Sequence, residues 1–395
     1  MADTDIEKPK VRRRKALAGD GRLAAPPDAP LAIPAWTLAR APTINDVARL
    51  AKVSKKTVSR VINQSPYVHD ATRAVVDAVV ARIGYVPSPQ ARGLAINRSF
   101  LLGLIYDNPN AQYIVNVQGG ILEACHREGF ELVVHPCRQV APGFLAEVKT
   151  FVQRQNLDGV ILVPPLSEDA ALVALLRTIG CRYMRLMSVP LDEPTSMVLH
   201  TDRTGAAEVG THLAQLGHTR VALITGPQRY RSTHERREGF LGALAEHGVT
   251  VPDHWIVEGL YTFETGEKRG MELLSPADRP TAIFASNDEM AAGVYKAAYR
   301  LGISIPRDLT VVGFDDTPLA SRMCPALSTV RLPIHDMGRL AADRLIGRIN
   351  DGDAGKAQPI TVTPRLVVRE SSSAPAQSVV ASGGISWSVD HTTKL

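Results

Sequence analysis

The 395-residue sequence has only four cysteines, and their spacing fits neither a disulfide framework nor a metal site. They are scattered as Cys125, Cys137, Cys181 and Cys324, which is typical of reduced thiols in a cytoplasmic protein. No run of about eighteen apolar residues is present, so the sequence predicts no membrane span. The basic N-terminus lacks the apolar segment of a secretory signal. We therefore expect a cytoplasmic protein, with no metal site and no cofactor.

Sequence signatures of common enzyme classes are also missing. There is no G-x-G-x-x-G motif after the first predicted strand, no G-x-S-x-G elbow and no phosphate-binding P-loop. His and Asp residues occur, but no spacing singles out a nucleophile and its base. The pattern favours a binding protein over an enzyme, and turnover of a bound small molecule would reverse that interpretation.

The net charge of +5 is modest, but it is unevenly distributed. Residues 42–99 contain nine Lys and Arg against three Asp and Glu, and residues 1–41 contain eight against five, so the rest of the chain is slightly acidic. A basic segment on an acidic body is typical of a DNA-binding protein whose body stays off the DNA. Residues 1–41, basic and then Ala/Pro-rich, are predicted to be disordered. Their basic run either attracts phosphates or only solubilises the chain.

Residues 43–63 have the pattern of two short helices joined by a turn. Thr43 and Asp46 predict a capping box at the first helix. Apolar residues then recur on one helical face, at Ile44, Val47, Ala48 and Ala51. Ser54 is positioned to cap the second helix.

The second helix has two different faces. Its apolar side chains are Val58, Val61 and Ile62, and its polar face carries Lys55, Lys56, Ser59, Arg60 and Asn63. A cationic face without a carboxylate suits the major groove of DNA, because it offers donors to base edges and phosphates. A solvated helix of some other small bundle is the alternative.

This stretch resembles the DNA-binding headpiece of the lactose-repressor family of bacterial transcription regulators. The matching residues are Thr43, Asp46, Val47, Ala48, Ala51, Val53, Ser54, Thr57, Val58, Ser59, Arg60, Val61, Asn63, Thr72, Arg73, Gly84, Tyr85, Pro87 and Leu94. The resemblance implies that the DNA contacts come from Thr43, Ser54, Lys55, Lys56, Thr57, Ser59, Arg60 and Asn63. Lys55 and Lys56 match the family positions that read bases, and lysine suits the acceptors of guanine.

A third helix is predicted at about 70–83, with Ala74, Val75, Ala78, Val79 and Arg82 at helical spacing. His69 stands where the family has a Ser cap, so this helix start is expected to be weaker or to rely on Asp70.

Residues 89–99 are predicted to link the headpiece (42–88) to the body. In the family, this linker folds into a hinge helix on DNA, and two hinges lie in the minor groove. Leu94 matches the leucine that opens a base step, and Ala91 matches the small residue that lets the hinges approach. A plain flexible linker is the alternative, since Pro and Gly are ordinary linker residues.

From Phe100 onward, short apolar runs alternate with helical stretches, which predicts parallel sheets in two α/β lobes. The runs begin at Leu101, Glu131, Gly159, Tyr183, Arg220, Thr281 and Leu309. The body resembles the periplasmic sugar-binding-protein fold of the same family, which implies three crossings between the lobes. We place lobe one at about 101–199 and 331–353, and lobe two at about 200–330 and 359–370. Residues 371–395 are predicted to be a disordered tail.

Ligands bind at the carboxyl ends of strands in such sheets, and a sugar needs paired polar groups and an aromatic face. The resemblance implies an effector site at Arg236, Tyr261, Asn287 and Asp315, and more weakly at Asp107. For Asp202 and Asp288 we favour helix capping over ligand contact, and Asp316 is either a ligand residue or a turn residue. The cluster of Arg229, Arg231, His234 and Arg237 is interpreted as a solvated surface rather than as a sign of an acidic sugar.

The sequence therefore predicts a small all-α helix-turn-helix headpiece joined by a hinge to a two-lobed α/β body with parallel sheets. The function it predicts is a transcriptional regulator, expected to be a repressor, that binds a pseudo-palindromic double-stranded DNA operator as a homodimer. A small effector, expected to be a carbohydrate, controls it from between the lobes. A solute-binding protein without DNA-binding function is the alternative.

Overall fold

The computed structural model describes residues 40–62, 65–86, 98–352 and 358–376. The chain divides into two compact units, residues 1–92 and residues 93–395, which we call the headpiece and the body. No helix in these described ranges is long and apolar enough to cross a membrane.

Three helices form the headpiece: α1 (Ile44–Leu50), α2 (Lys55–Ile62) and α3 (Asp70–Ile83). At the start of α1, the Asp46 carboxylate accepts hydrogen bonds from the Thr43 backbone N–H (3.0 Å) and hydroxyl (2.7 Å). Lys52 takes a left-handed φ of 53° in the tight turn between α1 and α2. α2 begins where the Ser54 hydroxyl accepts the Thr57 N–H at 3.1 Å. The predicted capping roles of Asp46 and Ser54 are therefore confirmed.

The apolar core of the headpiece differs from the prediction at α3. Val47, Ala48, Ala51, Val58 and Val61 are buried, as their spacing predicted. On α3, however, the buried residues are Val76, Val79 and Ile83, whereas Ala74, Val75 and Ala78 are exposed. Of the predicted apolar positions only Val79 is buried, because a helix rich in Ala and Val offers two faces of similar hydrophobicity and only packing chooses between them. His69 makes no side-chain cap, as its replacement of Ser suggested.

The body is built on two six-stranded sheets. The first has the order β11-β5-β4-β3-β1-β2 and the second β12-β10-β9-β8-β6-β7. The strands of the first are β1 (Leu101–Tyr106), β2 (Glu131–Pro136), β3 (Gly159–Leu162), β4 (Arg182–Met187), β5 (Met197–His200) and β11 (Ile360–Val362). Those of the second are β6 (Val221–Thr225), β7 (Ile256–Glu258), β8 (Ala282–Ala285), β9 (Thr310–Asp315), β10 (Ser328–Arg331) and β12 (Arg365–Val367). All pairings are parallel except the antiparallel pair β10/β12.

Helices cover both sheets, as right-handed crossovers require. They are α4 (Ala111–Glu128), α5 (Phe144–Gln155), α6 (Ala170–Thr178), α7 (Asp202–Gln215), α8 (Arg231–Glu246), α9 (Phe263–Leu274), α10 (Asp288–Arg300), α11 (Pro318–Arg322) and α12 (Ile334–Asp351). α4 packs closely on α12, where a Cβ at Gly120 would lie 1.9 Å from the His335 carbonyl oxygen. Glycine is therefore required at this contact.

The chain passes between the two sheets at 200–202, 331–334 and 362–365, which fits the predicted crossings. The lobe assignment of one strand was wrong. Strand β11 (Ile360–Val362) pairs with β5 of the first sheet, although 359–370 was placed in lobe two. The predicted boundaries at His200 and Arg331 are each one residue early, because His200 ends β5 in the first sheet and Arg331 ends β10 in the second. Such short strands carry no sequence signal of which sheet they join.

Three predicted segment boundaries also differ from the structure. Arg40, assigned to the disordered tail, forms a two-pronged ion pair with Asp46 at 2.8 and 2.9 Å. Arg98, assigned to the linker, donates to Asn350 of the body at 2.7 Å. Ser371, assigned to the second tail, is fully buried and donates to the Val311 carbonyl oxygen at 2.6 Å. The body therefore extends further at both ends than its composition indicated.

Candidate ligand cleft and nucleic-acid interface

A narrow cleft lies between the two sheets of the body, at the carboxyl ends of their strands. It is lined by Asn108, Asn110, Tyr113, Pro164, His200, Tyr230, Ser232, Arg236, Tyr261, Asn287, Asp315 and Leu332. Its free volume of about 40 Å³ admits water molecules but not a sugar ring. The cleft in this structure is therefore too small for a sugar ring.

Arg236, on α8, is the central cation of this cleft and is only 6% exposed. Its Nε donates to the Asp202 carboxylate at 2.8 Å, its Nη1 donates to the Ser286 carbonyl oxygen, and its Nη2 lies 3.7 Å from Asp315. The guanidinium group also lies 3.7 Å from the centroid of the Phe314 ring. Burial opposes its charge, but the attraction of Asp202 raises the pKa of Arg236 above its ordinary value. Arg236 therefore stays charged and fixed in place.

Asp202 does not cap α7 as we expected. It is the first residue of the helix and is fully buried, and its carboxylate binds Arg236 and the Nδ1 atom of His200, the latter at 2.5 Å. Burial opposes ionisation of Asp202, but Arg236 and His200 outweigh it and lower its pKa to about 2. Asp202 thus supplies the fixed negative charge that orients both neighbours.

Asp315 ends strand β9 with a φ of 108°, a conformation that is costly for any residue with a side chain. Asn110 of the first lobe donates to its carboxylate at 3.3 Å, so this hydrogen bond spans the cleft. Burial raises the pKa of Asp315 to about 8, and the nearby carboxylates of Asp288 and Asp202 add to the effect while Arg236 opposes it. A strained backbone and a carboxyl group with a shifted pKa, both in a cleft, are typical of a ligand site.

We expected Asp288 to cap α10, but Asn287 caps this helix instead. The Asn287 side chain caps α10 by accepting the Met290 N–H at 2.9 Å, and it also lines the cleft. Asp288 accepts hydrogen bonds from the Thr317 N–H (2.7 Å) and the Thr329 hydroxyl (2.5 Å). Burial raises the pKa of Asp288 to about 7. It therefore ties α10 to β10 behind the cleft.

Tyr261 lines the cleft from a loop of the second lobe, where it has a φ of 62°. Its hydroxyl forms a 2.9 Å hydrogen bond with Thr233, and its ring meets Tyr230 edge-on with centroids 5.4 Å apart. The cleft thus has an aromatic wall beside the Arg236–Asp315 pair.

The structure brings Arg236, Tyr261, Asn287 and Asp315 together but leaves Asp107 outside this cleft. The Asp107 carboxylate accepts the Gln139 N–H at 3.0 Å and faces a separate surface groove. The next residue, Asn108, lines the cleft instead, because successive residues after a strand point in different directions.

The surface cations near Arg236 do not enter the cleft. Arg229, Arg231 and Arg237 are exposed, and His234 contacts the Gln228 carbonyl oxygen at 2.9 Å. Asp316 pairs with Arg331 and Arg369, at 2.6 Å each, and is not among the residues that line the cleft. These positions support the interpretation of the arginine cluster as a solvated surface.

A second contact joins the lobes at the mouth of the cleft. The Glu168 carboxylate of the first lobe accepts the backbone N–H of Arg231, the first residue of α8, at 3.0 Å. A carboxylate at a helix N-terminus satisfies a free N–H and interacts favourably with the helix dipole. Sequence reasoning missed Glu168, as it missed Asn110, Tyr113, His200, Tyr230 and Ser232, because none lies in a recognisable motif.

The headpiece presents α2 as a polar, cationic face. Lys55, Lys56 and Arg60 are exposed, Thr57 and Ser59 are half-buried, and the exposed Ser54 begins the helix. Thr43 is exposed, but its hydroxyl is engaged by Asp46. The predicted contacts Asn63, Ala91 and Leu94 lie outside the described residues.

A cation of α3 holds the segment that follows α2, and a second set of ion pairs lies within α1. Arg73 of α3 donates to the Ser65 carbonyl oxygen at 2.8 Å, just beyond the helix. Asp46, paired with Arg40 and Arg49, has a pKa well below its ordinary value, because hydrogen bonds from Arg40 and Thr43 stabilise its charge. The Asp46 carboxylate is therefore engaged within the headpiece, and the exposed charged side chains of α2 are all cationic.

Comparison with known proteins agrees with both units. Residues 43–88 match the family described as bacterial regulatory proteins, lacI family, and residues 211–372 match a periplasmic binding protein-like domain. The ribose operon repressor of Escherichia coli (strain K12) is 33% identical over 334 residues, covering 83% of this chain and 99% of the relative. The transcriptional repressor PurR of Proteus mirabilis (strain HI4320) is 33% identical over 338 residues, covering 83% and 96%.

Among solved structures, the lac repressor dimer bound to operator and the anti-inducer ONPF is 28% identical, with a TM-score of 0.70. It covers 85% of this chain and 100% of that one. A complex of the transcriptional regulator CelR with cellobiose is 30% identical, with a TM-score of 0.63, and covers 84% and 99%. The headpiece, the two-lobed body and these relatives lead to one conclusion: the chain belongs to the lacI family of bacterial regulatory proteins, and it is a DNA-binding transcriptional regulator and not an enzyme.

Proposed function

We propose that this regulator is a homodimeric repressor that reads a pseudo-palindromic operator with α2 and is controlled by a small effector bound between the lobes of the body. The main support for the proposal is that one chain contains both an exposed cationic helix and a polar cleft between two lobes. Lysines at the start of α2 suit the O6 and N7 acceptors of guanine in the major groove. Phosphate contacts by Arg60 and the helix termini would fix its register.

Effector control follows from the contacts that span the cleft. Asn110–Asp315 and Glu168–Arg231 exist only while the lobes are closed. A ligand that binds one arrangement of the lobes more tightly shifts the population towards it. In the proposal, this shift changes the position of the lobes and, through the hinge at 89–99, the affinity for the operator. Whether the ligand releases or recruits DNA is left to the experiment.

The proposed dimer is supported by apolar side chains exposed on α4. Val115 is 58% and Leu122 is 36% exposed, and the two lie seven residues apart on one helical face. A second copy of the chain would cover them, and a dimer would present two headpieces to two half-sites. Sedimentation of the full chain at micromolar concentration would measure the assembly.

The test of DNA recognition is a titration of fluorescent duplexes with the full chain. A duplex from its own upstream region should bind about 1,000-fold more tightly than a scrambled duplex at physiological salt. Lys56→Ala should weaken operator binding and reduce discrimination at one base position by about 1–3 kcal/mol, because one base-edge contact is lost.

Lys149→Ala is the matched control, since it removes an exposed lysine on α5 of the body. It should leave both the affinity and the base preference unchanged. If Lys56→Ala keeps its preference at every position of the operator, α2 is not the recognition helix. Equal weak binding of the wild-type chain to every duplex would refute the proposed operator.

A further inference from the structure

The first lobe has a second groove, beside the start of strand β4. Its volume is about 390 Å³, and its lining includes Arg177, Arg182, Asp192, Glu193, Ser196 and Arg348. None of its lining residues lines the cleft between the lobes. Because Arg182 begins β4 and Ser196 immediately precedes β5, this arginine groove lies at the amino ends of strands whose carboxyl ends face the cleft. A volume of this size accommodates a small molecule.

The buried carboxylate of the arginine groove is already neutralised. The Asp192 side chain is 1% exposed and accepts hydrogen bonds from the Tyr183 hydroxyl (2.8 Å), from Arg185 (2.9 Å) and from Arg177. Burial opposes ionisation of Asp192, but the hydrogen bonds from the Glu193 N–H, Arg185 and Tyr183 outweigh it and lower its pKa. The charge of Asp192 is therefore balanced by Arg177 and Arg185.

Arg182 supplies a donor that has no acceptor. Its Nε atom is buried and has no hydrogen-bond partner among the described residues. Glu193, the other acidic residue of the lining, is exposed, so water and salt screen its charge. A buried N–H group without a partner is costly, so it indicates the place of a missing acceptor.

Helix α12 adds positive charge beside the same strands. Arg348 lines the arginine groove and donates from Nη1 to the Ser196 hydroxyl at 3.3 Å and to the Tyr183 carbonyl oxygen at 3.1 Å. One turn earlier on the helix, Arg344 Nη1 is also buried without a partner in the described part of the chain. Burial and the charge of Arg348 lower the pKa of Arg344. Arg182 and Arg344 thus each leave a buried N–H group without an acceptor.

We infer that the arginine groove binds a phosphate group, with Arg182 as its main donor. The ligand is inorganic phosphate or a small phosphate monoester. The planar guanidinium group suits two phosphate oxygens at once, and a phosphate dianion offers further oxygens to a second arginine, which a carboxylate does not. Arg177 can share its 58% exposed side chain with the ligand, because Asp192 keeps Arg185 as a partner. This site goes beyond the proposed function and lies outside the proposed effector cleft.

The test is calorimetric titration of the full chain with inorganic phosphate and with glycerol 3-phosphate at constant ionic strength. At least one of them should bind with a Kd of about 1 mM or lower, and glycerol should not bind. Tighter binding of glycerol 3-phosphate identifies a phosphorylated metabolite as the ligand, and tighter binding of phosphate identifies the free ion; both results support the inference. If neither binds at about 10 mM, the inference is overturned.

Variants of Arg182 locate the binding site. Arg182→Gln should weaken phosphate binding at least about 10-fold, because a charge-assisted hydrogen bond is lost. Arg182→Lys keeps the charge and should lose less. The matched control Arg237→Gln removes an exposed arginine on α8 of the second lobe and should bind like the wild type. Unchanged affinity in Arg182→Gln would mean that phosphate binds elsewhere, for example on the cationic face of α2, and would overturn the inference.

A second variant tests the arginine groove without removing an arginine. Thr195 lines it, so Thr195→Glu places a carboxylate there and should weaken phosphate binding at least about 10-fold by repulsion. The matched control Thr250→Glu adds the same charge at an exposed position of the second lobe and should have no effect. Melting curves without phosphate show which variants are folded. If Arg182→Gln does not fold, Thr195→Glu decides, and unchanged phosphate affinity there overturns the inference. Operator binding by the wild-type chain is measured separately, so either proposal can fail alone.

Discussion

Replacing Asp315 by Asn should stabilise the ligand-free protein, although it removes a residue of the proposed effector site. Asp315 is 5% exposed, and burial raises the pKa of its carboxyl from 3.8 to about 8. The folded chain therefore holds a proton that the unfolded chain releases above pH 3.8. Stability is lost as the pH rises from about 4 towards 8, because the unfolded state gains the advantage of ionisation.

Asparagine has the same shape and does not titrate, so Asp315→Asn escapes this loss. Each pH unit between the two pKa values is worth up to about 1.4 kcal/mol, so the advantage of the variant should grow by up to about 3 kcal/mol from pH 5 to pH 7. Asp202 still neutralises Arg236 in the variant, and Asn110 can still bond to residue 315. The rise in melting temperature should be about 2–4 °C per kcal/mol for a chain of this size.

The assay is urea unfolding of both proteins at pH 5, 6, 7 and 8, without sugar and at one protein concentration, because assembly shifts apparent stability. Asp288 titrates in the same region, so the difference between the proteins, not the slope of either, isolates Asp315. Asp336→Asn, which removes an exposed carboxylate on α12, should show little change with pH. A variant that is no more stable than the wild type at pH 8, or a difference independent of pH, would refute the reasoning.

Two further predictions concern the closed cleft and the helix packing. Glu168→Ala should strengthen the binding of a sugar about 5- to 10-fold, because the contact to α8 holds closed a cleft that has no room for a sugar ring, and it resembles an N-cap worth about 1 kcal/mol; unchanged calorimetric affinity would mean that the contact does not favour closure. Gly120→Ala should lower the free energy of unfolding by about 2 kcal/mol or more, because its Cβ would lie 1.9 Å from the His335 carbonyl oxygen. The control Gly242→Ala, with open space on α8, should gain up to about 1 kcal/mol of helix propensity, and equal melting temperatures of the two variants would contradict the packing argument.

Much of the headpiece was predictable because its signals are local. The capping role of Asp46 depends on a residue three positions away, and the polar face of α2 depends on residues within two turns. The apolar face of α3 was not predictable, since Val75 and Val76 are adjacent and only contact with the other helices decides which one is buried.

In the cleft, the residues found in advance were those on family motifs, namely Arg236, Tyr261, Asn287 and Asp315. Asp202 and Asp288 looked alike in sequence, each standing at the start of a helix, yet Asp202 holds Arg236 and His200 whereas Asp288 binds Thr317 and Thr329. His200 had no signal at all. It ends the short strand β5. Its pairing with Asp202, and the lack of a partner for its Nε2 among the described residues, are defined only once β5 and α7 pack beside α8.

The sequence by itself determined the family, the helix-turn-helix and the alternation of strands and helices, because these depend on spacing within a few turns or strands. The tertiary structure alone decided that the lobes are closed, that Asp315 meets Asn110 across the cleft and that Glu168 reaches the start of α8. Those contacts join residues more than 60 positions apart in the chain, as Glu168 and Arg231 are. These contacts are stabilised by burial and charge pairing. Neither can be inferred from a local sequence pattern, because both arise only when the two sheets are folded against each other.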